Sequence, residues 1–223
     1  MAVQKRIFIS RNLTIESAFY ALLNNKASIE AQSLINFEAV PIPQTPVSDW
    51  LFFYSKKGLD FGWPHLRTLN PLPKIAVLGA ASAEYLEQRF GQVADFVGMG
   101  TPIPTAKAFL EVASGQRVCF VQAQNSRQSI AQLLGTQIQT QSLVVYNNCP
   151  KTTLDIPPCD ILVFTSPLNV QAYYQQYSIQ KQQKVIAIGQ TTAKALTELG
   201  LTTYTIAPAP HERALAHSCL ALL

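Results

Sequence analysis

The sequence has few charged residues, and they form no runs. Asp, Glu, Lys and Arg make up 13% of the 223 residues while hydrophobic residues make up 48%, which excludes a disordered chain. Lys plus Arg (17) exceeds Asp plus Glu (13) and gives a net charge of +4. The basic residues are scattered, so we expect no nucleic-acid partner. The excess instead favours a small polyanionic ligand.

Metal-binding and targeting patterns are also missing. The cysteines Cys119, Cys149, Cys159 and Cys219 show no CxxC spacing, and the three histidines form no HExxH motif. We therefore expect no metal site, and reduced thiols in a cytoplasmic protein. The N-terminus has no signal-peptide pattern, and no apolar run approaches ~18 residues, so we expect no membrane segment. No paired carboxylates, Ser-His-Asp set or Cys-His pair indicates a nucleophile.

What the sequence does contain is an internal repeat. KIAVLGAASAEYLEQRFG at 74–91 parallels KVIAIGQTTAKALTELG at 184–200, an offset of 110 residues. DWLFFYS parallels DILVFTS, and KRIFIS parallels QRVCFV, both at an offset of 111. Segments 34–43 and 142–150 are also similarly placed. A period this long exceeds the ~20–50 residues of a solenoid unit and indicates two similar domains.

Each repeat alternates short apolar strands with helical patterns, which predicts two doubly wound α/β domains with parallel sheets. Ligands of such sheets bind outside the carboxyl ends of the strands, where helices begin. We call each strand-to-helix turn a corner. We expect a cleft between the domains lined by such corners. The candidate corners are Ser55–Gly58, Gly79–Ser82, Thr165–Pro167 and Gly189–Thr192.

The individual residues at these corners leave alternatives open. Thr191 and Thr192 are expected to cap the helix behind them, and they could also bind an anion. Tyr146 is either a strand aromatic with a bonded hydroxyl or a catalytic acid. Arg11 and Arg127 are either solvated or bind carboxylates. The glycine corners lack GxGxxG and GxxxxGK[ST], which disfavours a dinucleotide or a nucleoside triphosphate.

The ordered motifs resemble those of the uroporphyrinogen-III synthase family over essentially the whole chain. They are SR at 10–11, DWLFFYSKKGL, KIAVLGAASAEYL, SLVVY, DILVFTSPLNV, VIAIGQTTAKALTELG and APAPHERALA. Departures from the family pattern are Tyr54 before Ser55, the corner Ala80-Ala81-Ser82, and Leu168-Asn169.

The resemblance implies a discontinuous arrangement of the two domains. Residues 1–34 and 150–223 would form the first α/β domain, and residues 44–140 the second. Residues 35–43 and 141–149 would form a two-stranded antiparallel ladder that connects them.

The resemblance also implies a hydro-lyase activity. The family closes hydroxymethylbilane, a linear tetrapyrrole with eight carboxylates, into uroporphyrinogen III with loss of water. Ring D is inverted through a spiro intermediate, and no cofactor is used. Catalysis would consist mainly in holding one folded conformation of the substrate. We expect a monomer that could receive its substrate transiently from the upstream deaminase.

The family pattern implies roles for residues bordering the cleft. Tyr146 would donate a proton to the departing hydroxyl. Lys184 would contact substrate or simply flank its strand. The predicted substrate-binding residues are Arg11, Ser55, Ser82, Arg127, Thr165, Ser166, Lys184, Thr191 and Thr192.

Two other functions fit the repeat. One is a non-catalytic two-domain protein that clamps a small polyanion, which only the ordered family motifs argue against. The other is a tandem flavodoxin-like regulatory module, which would need an acidic phosphoacceptor pocket or a flavin loop. Asp49 and Asp160 lie at strand starts, where neither feature belongs.

Overall fold

The fold was analysed in a computed structural model that describes residues 4–223. The chain divides into two compact units. Unit 1 is the chain up to Asn36 together with Cys149–Leu223, and unit 2 is Phe37–Asn148. The strands are β1 (Arg6–Ile9), β2 (Ser28–Ala31), β3 (Ile35–Ala39), β4 (Trp50–Phe53), β5 (Lys74–Val77), β6 (Phe96–Val97), β7 (Arg117–Ala123), β8 (Gln139–Pro150), β9 (Ile161–Phe164), β10 (Lys184–Ala187) and β11 (Thr205–Ile206). The helices are α1 (Ala18–Leu23), α2 (Lys56–Leu66), α3 (Ala80–Phe90), α4 (Pro102–Ala113), α5 (Ser129–Leu134), α6 (Pro167–Tyr174), α7 (Gln190–Glu198) and α8 (Glu212–Leu220), with a 3-10 turn at Gly135–Gln137.

Unit 1 is a parallel sheet in the order β11-β10-β9-β1-β2. Read in chain order within the unit, this is the 2-1-3-4-5 order of a doubly wound fold. Successive residues of β1 point to opposite faces. Ile7 and Ile9 pack on the side of α1 and α8, whereas Phe8 packs on the side of α6 and α7. Because both faces are buried, polar groups are confined mainly to the strand ends.

Unit 2 repeats this arrangement. Its sheet has the order β3-β8-β7-β4-β5-β6. Arg6 pairs with Ser28 in unit 1 and Arg117 pairs with Gln139 in unit 2, so the two registers are related by the same offset, 117 − 6 = 139 − 28 = 111. Strands β8-β7-β4-β5-β6 therefore match β2-β1-β9-β10-β11 in order. The predicted fold class, two similar doubly wound parallel-sheet units, is confirmed.

The added strand β3 lies beside β8 and belongs to the connection between the units. The Lys151 amide donates to the Leu34 carbonyl at 2.8 Å, and the Val40 amide donates to the Val145 carbonyl at 3.0 Å. As one partner advances from 34 to 40, the other runs back from 151 to 145, so the two segments are antiparallel. The predicted two-stranded antiparallel ladder is present.

One detail of the sequence repeat was wrong. Segments 34–43 and 142–150 were matched as repeat partners, but the register shows that the counterpart of β8 is β2. No strand was predicted at Ser28–Ala31, because this four-residue edge strand is only half-buried and has no apolar run. Among residues 4–223, no helix is long and apolar enough to cross a membrane.

Candidate functional site

The carboxyl edges of the two sheets carry matched helix starts. Ser55 is the N-cap of α2 and Ser166 is the N-cap of α6, with backbone angles φ/ψ of −158°/162° and −164°/158°. Gly79 is the N-cap of α3 and Gly189 is the N-cap of α7, with angles of −172°/173° and −176°/179°. Each unit thus has one serine corner and one glycine corner of the same geometry.

The serine corners are closed by their own side chains. Ser166 Oγ accepts the Asn169 amide at 3.2 Å and Asn169 Nδ2 at 2.8 Å. Ser55 Oγ accepts the Gly58 amide at 3.1 Å. These hydroxyls satisfy helix donors that would otherwise lack an intrahelical partner. Ser55 and Ser166, both predicted to bind substrate, are therefore primarily helix N-caps.

The glycine corners have no side-chain cap hydrogen bond. The expectation that Thr191 and Thr192 cap α7 was wrong, because the helix begins directly after Gly189 and both threonines are already helical. Thr191 is exposed, whereas Thr192 is only 1% exposed. Ser82 holds the matching third helical position in α3. The first amides of both helices are left for solvent or a ligand.

The two glycines differ in what surrounds them. A Cβ added at Gly79 would lie 2.8 Å from Gly100 Cα and 2.9 Å from Gly100 N. A Cβ added at Gly189 would meet nothing within 4 Å. Gly79 is therefore required by packing in unit 2, whereas the α7 corner of unit 1 is open. The α3 corner borders a depression of about 220 Å³ lined by Leu78, Gly79, Ala80, Ala81, Ser82 and Gly100.

Thr165 lies where the order of the unit 1 sheet reverses, between β9 and β1. Its hydroxyl donates to the Ser10 carbonyl at 2.8 Å, and its amide donates to Ser10 Oγ at 2.8 Å. Ser10 is fully buried. The Thr165 hydroxyl is therefore committed to an internal hydrogen bond at the position where ligands of such sheets bind.

Arg11 follows Ser10 at the same edge and pairs with Glu212 in the first turn of α8. Arg11 Nη1 lies 3.2 Å from Glu212 Oε1, and Ser17 Oγ donates to Glu212 Oε2 at 2.7 Å. The Arg11 side chain remains 39% exposed. An incoming carboxylate would have to share this guanidinium with Glu212.

Lys184 lies apart from the other predicted residues of unit 1. It is the first residue of β10 and pairs with Ile161, the first residue of β9, whereas Ala187 pairs with Phe164 at the far end. Since these strands are parallel, Lys184 is at the amino edge and Thr165 at the carboxyl edge. The structure does not bring Lys184 together with the corner residues, and its position fits the alternative that it flanks its strand.

Tyr146 of β8 and Ser55 are brought together in unit 2. Tyr146 Oη lies 3.2 Å from Ser55 Oγ. The Tyr146 ring stacks on Phe61 of α2 at 5.4 Å and 18°, and it lies 6.0 Å from Phe37. Tyr146 is 7% exposed and its hydroxyl is bonded to Ser55, as expected for a strand aromatic with a bonded hydroxyl. Arg127 is exposed in the segment that precedes α5.

Comparison with known proteins decides the family. The model of the family described as uroporphyrinogen-III synthase HemD matches residues 15–217. The chain belongs to the uroporphyrinogen-III synthase family. The expectation from the ordered motifs is confirmed, and the hydro-lyase activity of this family is the one assigned to the chain.

Solved structures share the fold of this chain. The uroporphyrinogen-III synthetase of Helicobacter pylori 26695 is 21% identical, with a TM-score of 0.74 over 98% of this chain and 100% of that chain. A mutant uroporphyrinogen III synthase of the extremely thermophilic bacterium Thermus thermophilus is 18% identical, with a TM-score of 0.54 over 98% of both chains. No curated protein sequence matches the chain.

Three of the four cysteines of this chain are poor candidates for nucleophiles. Cys119, Cys159 and Cys219 are buried, and burial raises the pKa of each thiol to about 12. A thiol with such a pKa supplies almost no thiolate at neutral pH. In the described part of the chain, no group of His, Cys, Asp and Glu side chains has the arrangement of a metal site.

Sequence reasoning missed several residues that shape these corners. Asn169 links Ser166 to the Leu34 amide, Glu212 holds Arg11, and Phe61 packs on Tyr146. The sequence could indicate Glu212 as an acidic residue in a first helical turn, but not its pairing with Arg11. The contacts of Asn169 with Leu34, Glu212 with Arg11 and Phe61 with Tyr146 all join elements far apart in the chain.

Proposed function

We propose that this chain catalyses the dehydrative closure of hydroxymethylbilane to uroporphyrinogen III with inversion of ring D, without a cofactor. The observation that carries this proposal is the family match over residues 15–217. The matched helix corners at the carboxyl edges supply the chemistry that such a substrate needs.

Substrate binding is proposed to use helix amides and nearby donors. The substrate is an octa-anion, and the starts of α3 and α7 carry no side-chain cap. Their free amides and helix dipoles favour carboxylates and need little reorganisation. Ser82 and the exposed Thr191 add hydroxyls beside these amides, and Thr192, which is 1% exposed, is proposed to support the corner from within. Arg11 and Arg127 are proposed to bind further carboxylates.

The catalytic contribution is proposed to be mainly orientation. A free chain closes without inversion, so the protein must hold a bent conformation in which the substituted pyrrole carbon attacks first. Orientation of this kind can supply about 7–11 kcal/mol. Tyr146, directly or through water, is proposed to protonate the departing hydroxyl, which leaves as water. The bond between that substituted carbon and the methylene bridge it already carried then breaks. The other α-carbon of the same ring forms the last bond to this bridge and releases its hydrogen as a proton.

The test is an isomer assay. Hydroxymethylbilane is generated with its deaminase, the protein is added, and the oxidised porphyrin isomers are separated. Type III product is expected. Product that remains type I in the presence of folded protein rejects the proposal, and tight binding with type I product would support the polyanion-clamping alternative. Tyr146→Phe, checked for folding, tests the proton donor and should slow turnover.

The remaining proposals concern the oligomeric state, the cellular environment and the delivery of substrate. Each unit has its own hydrophobic cores on both faces of its sheet, which supports a monomer. The buried cysteines Cys119, Cys159 and Cys219 form no disulfide, which supports a reducing, cytoplasmic environment. Sedimentation velocity tests the monomer. Transient handover from the deaminase would be detected as faster type III formation when the deaminase is added than when pre-formed substrate is supplied.

A further inference from the structure

The Ser55–Tyr146 contact lies where the order of the unit 2 sheet reverses. Ser55 follows β4, Tyr146 is in β8, and β7 lies between these strands in the sheet. The 3.2 Å contact between Ser55 Oγ and Tyr146 Oη therefore spans the end of β7. This is the region of a doubly wound sheet in which ligands bind.

Helix α2 contacts both parts of the Tyr146 side chain. Its N-cap, Ser55, reaches the hydroxyl, and Phe61 in its second turn stacks on the ring at 5.4 Å and 18°. Phe37 lies against the ring at 6.0 Å and 56°, and Lys57 Nζ lies 5.3 Å over the Phe37 ring. The phenol is thus fixed relative to α2 by one polar contact and one stacking contact.

The matched corner of unit 1 shows what is special here. Ser166 makes the same cap, but its second partner is Asn169 Nδ2 at 2.8 Å. The position equivalent to Asn169 is Gly58, since 169 − 111 = 58. Gly58 has no side chain, and a Cβ there would lie 3.2 Å from the Val121 carbonyl. In unit 2 the second partner of the serine is the phenol of Tyr146, which, unlike the donating Asn169 amide nitrogen, can also accept a proton from the serine hydroxyl.

We propose that Ser55 is a positioning residue that acts on the reaction through Tyr146 rather than by binding substrate. This inference rests on the proposed function, in which Tyr146 donates a proton. Ser55 Oγ accepts the Gly58 amide, so the serine proton is available for Tyr146 Oη. In that arrangement the phenolic proton stays free for the departing hydroxyl. Ser55 thereby fixes both the place and the donor direction of the phenol.

A double-mutant cycle tests this assignment. The kcat and KM for type III formation are measured in the parent, Ser55→Ala, Tyr146→Phe and the double variant. Each single variant should lower kcat by roughly tenfold, below the range of ~100-fold or more that full general acids reach. KM should change little. In the Tyr146→Phe background, Ser55→Ala should have almost no further effect on kcat.

Matched controls separate positioning from capping. Ser166→Ala removes the equivalent cap in unit 1, and its effect on kcat should multiply with that of Tyr146→Phe. Ser55→Thr keeps the hydroxyl and should keep kcat near the parent value. Ser55→Gly removes the hydroxyl at little cost to the helix start, so it replaces Ser55→Ala if that variant folds poorly.

The outcomes are distinguishable. Three results would overturn the positioning role. They are an equal loss of kcat from Ser55→Ala in both backgrounds, a change in KM alone, and a Tyr146→Phe variant with the parental kcat. A parent protein that yields only type I product instead rejects the proposed function.

Discussion

The two units share a backbone plan but fill it differently. In unit 1, the sheet reversal is closed by internal hydrogen bonds. Ser10 and Thr165 bond each other, and Ser166 bonds Asn169, whose Oδ1 accepts the Leu34 amide at 2.8 Å. These polar groups are buried or half-buried and hold the strand ends together.

In unit 2, the equivalent positions carry Val121, Tyr54, Ser55 and Gly58. Only the serine is retained. Tyr54 stacks on Phe120 at 5.6 Å, and its hydroxyl accepts the Ala131 amide at 3.2 Å in α5. The repeat therefore preserves the helix starts. The side chains differ: they form an internal polar network at the sheet reversal of unit 1, and they place the Tyr146 phenol at that of unit 2.

The largest effect is expected at Asn169, where the networks differ most. Asn169→Ala leaves the buried Leu34 amide without its acceptor and removes one donor from Ser166. Losing such a partner costs about 1–3 kcal/mol, and we expect a loss near the upper end of this range. Urea unfolding measures it. Asn169→Asp keeps an acceptor for Leu34 and should lose less. A loss below about 0.5 kcal/mol would mean that the network does not distinguish the units.

The two glycine corners give the next prediction. Gly79→Ala forces a methyl group against the Gly100 backbone and should destabilise the protein by about 2 kcal/mol. Gly189→Ala makes the same change at the open corner. Its backbone is fully extended, so the gain from a less flexible unfolded chain and the loss of a glycine N-cap oppose each other, and stability should change by less than about 1 kcal/mol. Thermal unfolding compares the variants, and similar losses in both would show that the corners are equally crowded.

Sequence reasoning reached the fold because the signals are local and repeated. The strands β9 and β10 are continuous apolar runs, and the offset of 111 residues at β1 and β9 recurs in the pairing register of the sheets. The edge strand β2 was missed because it has no apolar run. The start of α7 was predicted at the two threonines because their hydroxyls are common helix caps, whereas the helix is capped by Gly189.

The candidate site was less accessible from sequence. That Ser55 and Ser166 lie at helix starts follows from neighbouring residues. Their second partners, Tyr146 and Asn169, depend on sheet order and on which residue points into the corner. Lys184 was predicted from a motif alone, and a motif does not distinguish the two ends of a four-residue strand.

Arg11 offers a smaller test of the same contrast. Its counterpart in unit 2 is the buried Gln122, so only unit 1 has a basic residue here, shared with Glu212. The pair is partly exposed, so Glu212→Gln should cost below about 1 kcal/mol in unfolding experiments. Removing the competing carboxylate should lower KM for the anionic substrate. Glu198→Gln, the same change beside Lys194 on α7, is the control. A raised KM would contradict a substrate-binding Arg11.

The smallest effect is expected at the amino edge, where Asp49 and Asp160 immediately precede the matched strands β4 and β9. The side chain of Arg117 and then its amide hydrogen-bond Asp49 and lower its pKa from 3.8 to about 2. Because the folded-state pKa is the lower one, this contribution to stability is complete above about pH 4 and lost as the pH falls through 2.

Asp160 accepts the Arg6 amide at 2.8 Å, whereas Asp49 also binds Arg117 Nη2 at 2.8 Å and Nε at 3.2 Å. The side chains of Arg117 and Asp49 are 47% and 39% exposed, so solvent screens the pair and we expect a smaller loss of stability than at Glu212. Asp49→Asn should lose less stability than the parent between pH 4 and pH 2.5 in urea unfolding, with Asp160→Asn as the control for charge. Parallel curves for the parent and Asp49→Asn would mean that solvent already screens the pair, and the two amino edges would then be equivalent despite their different hydrogen bonds.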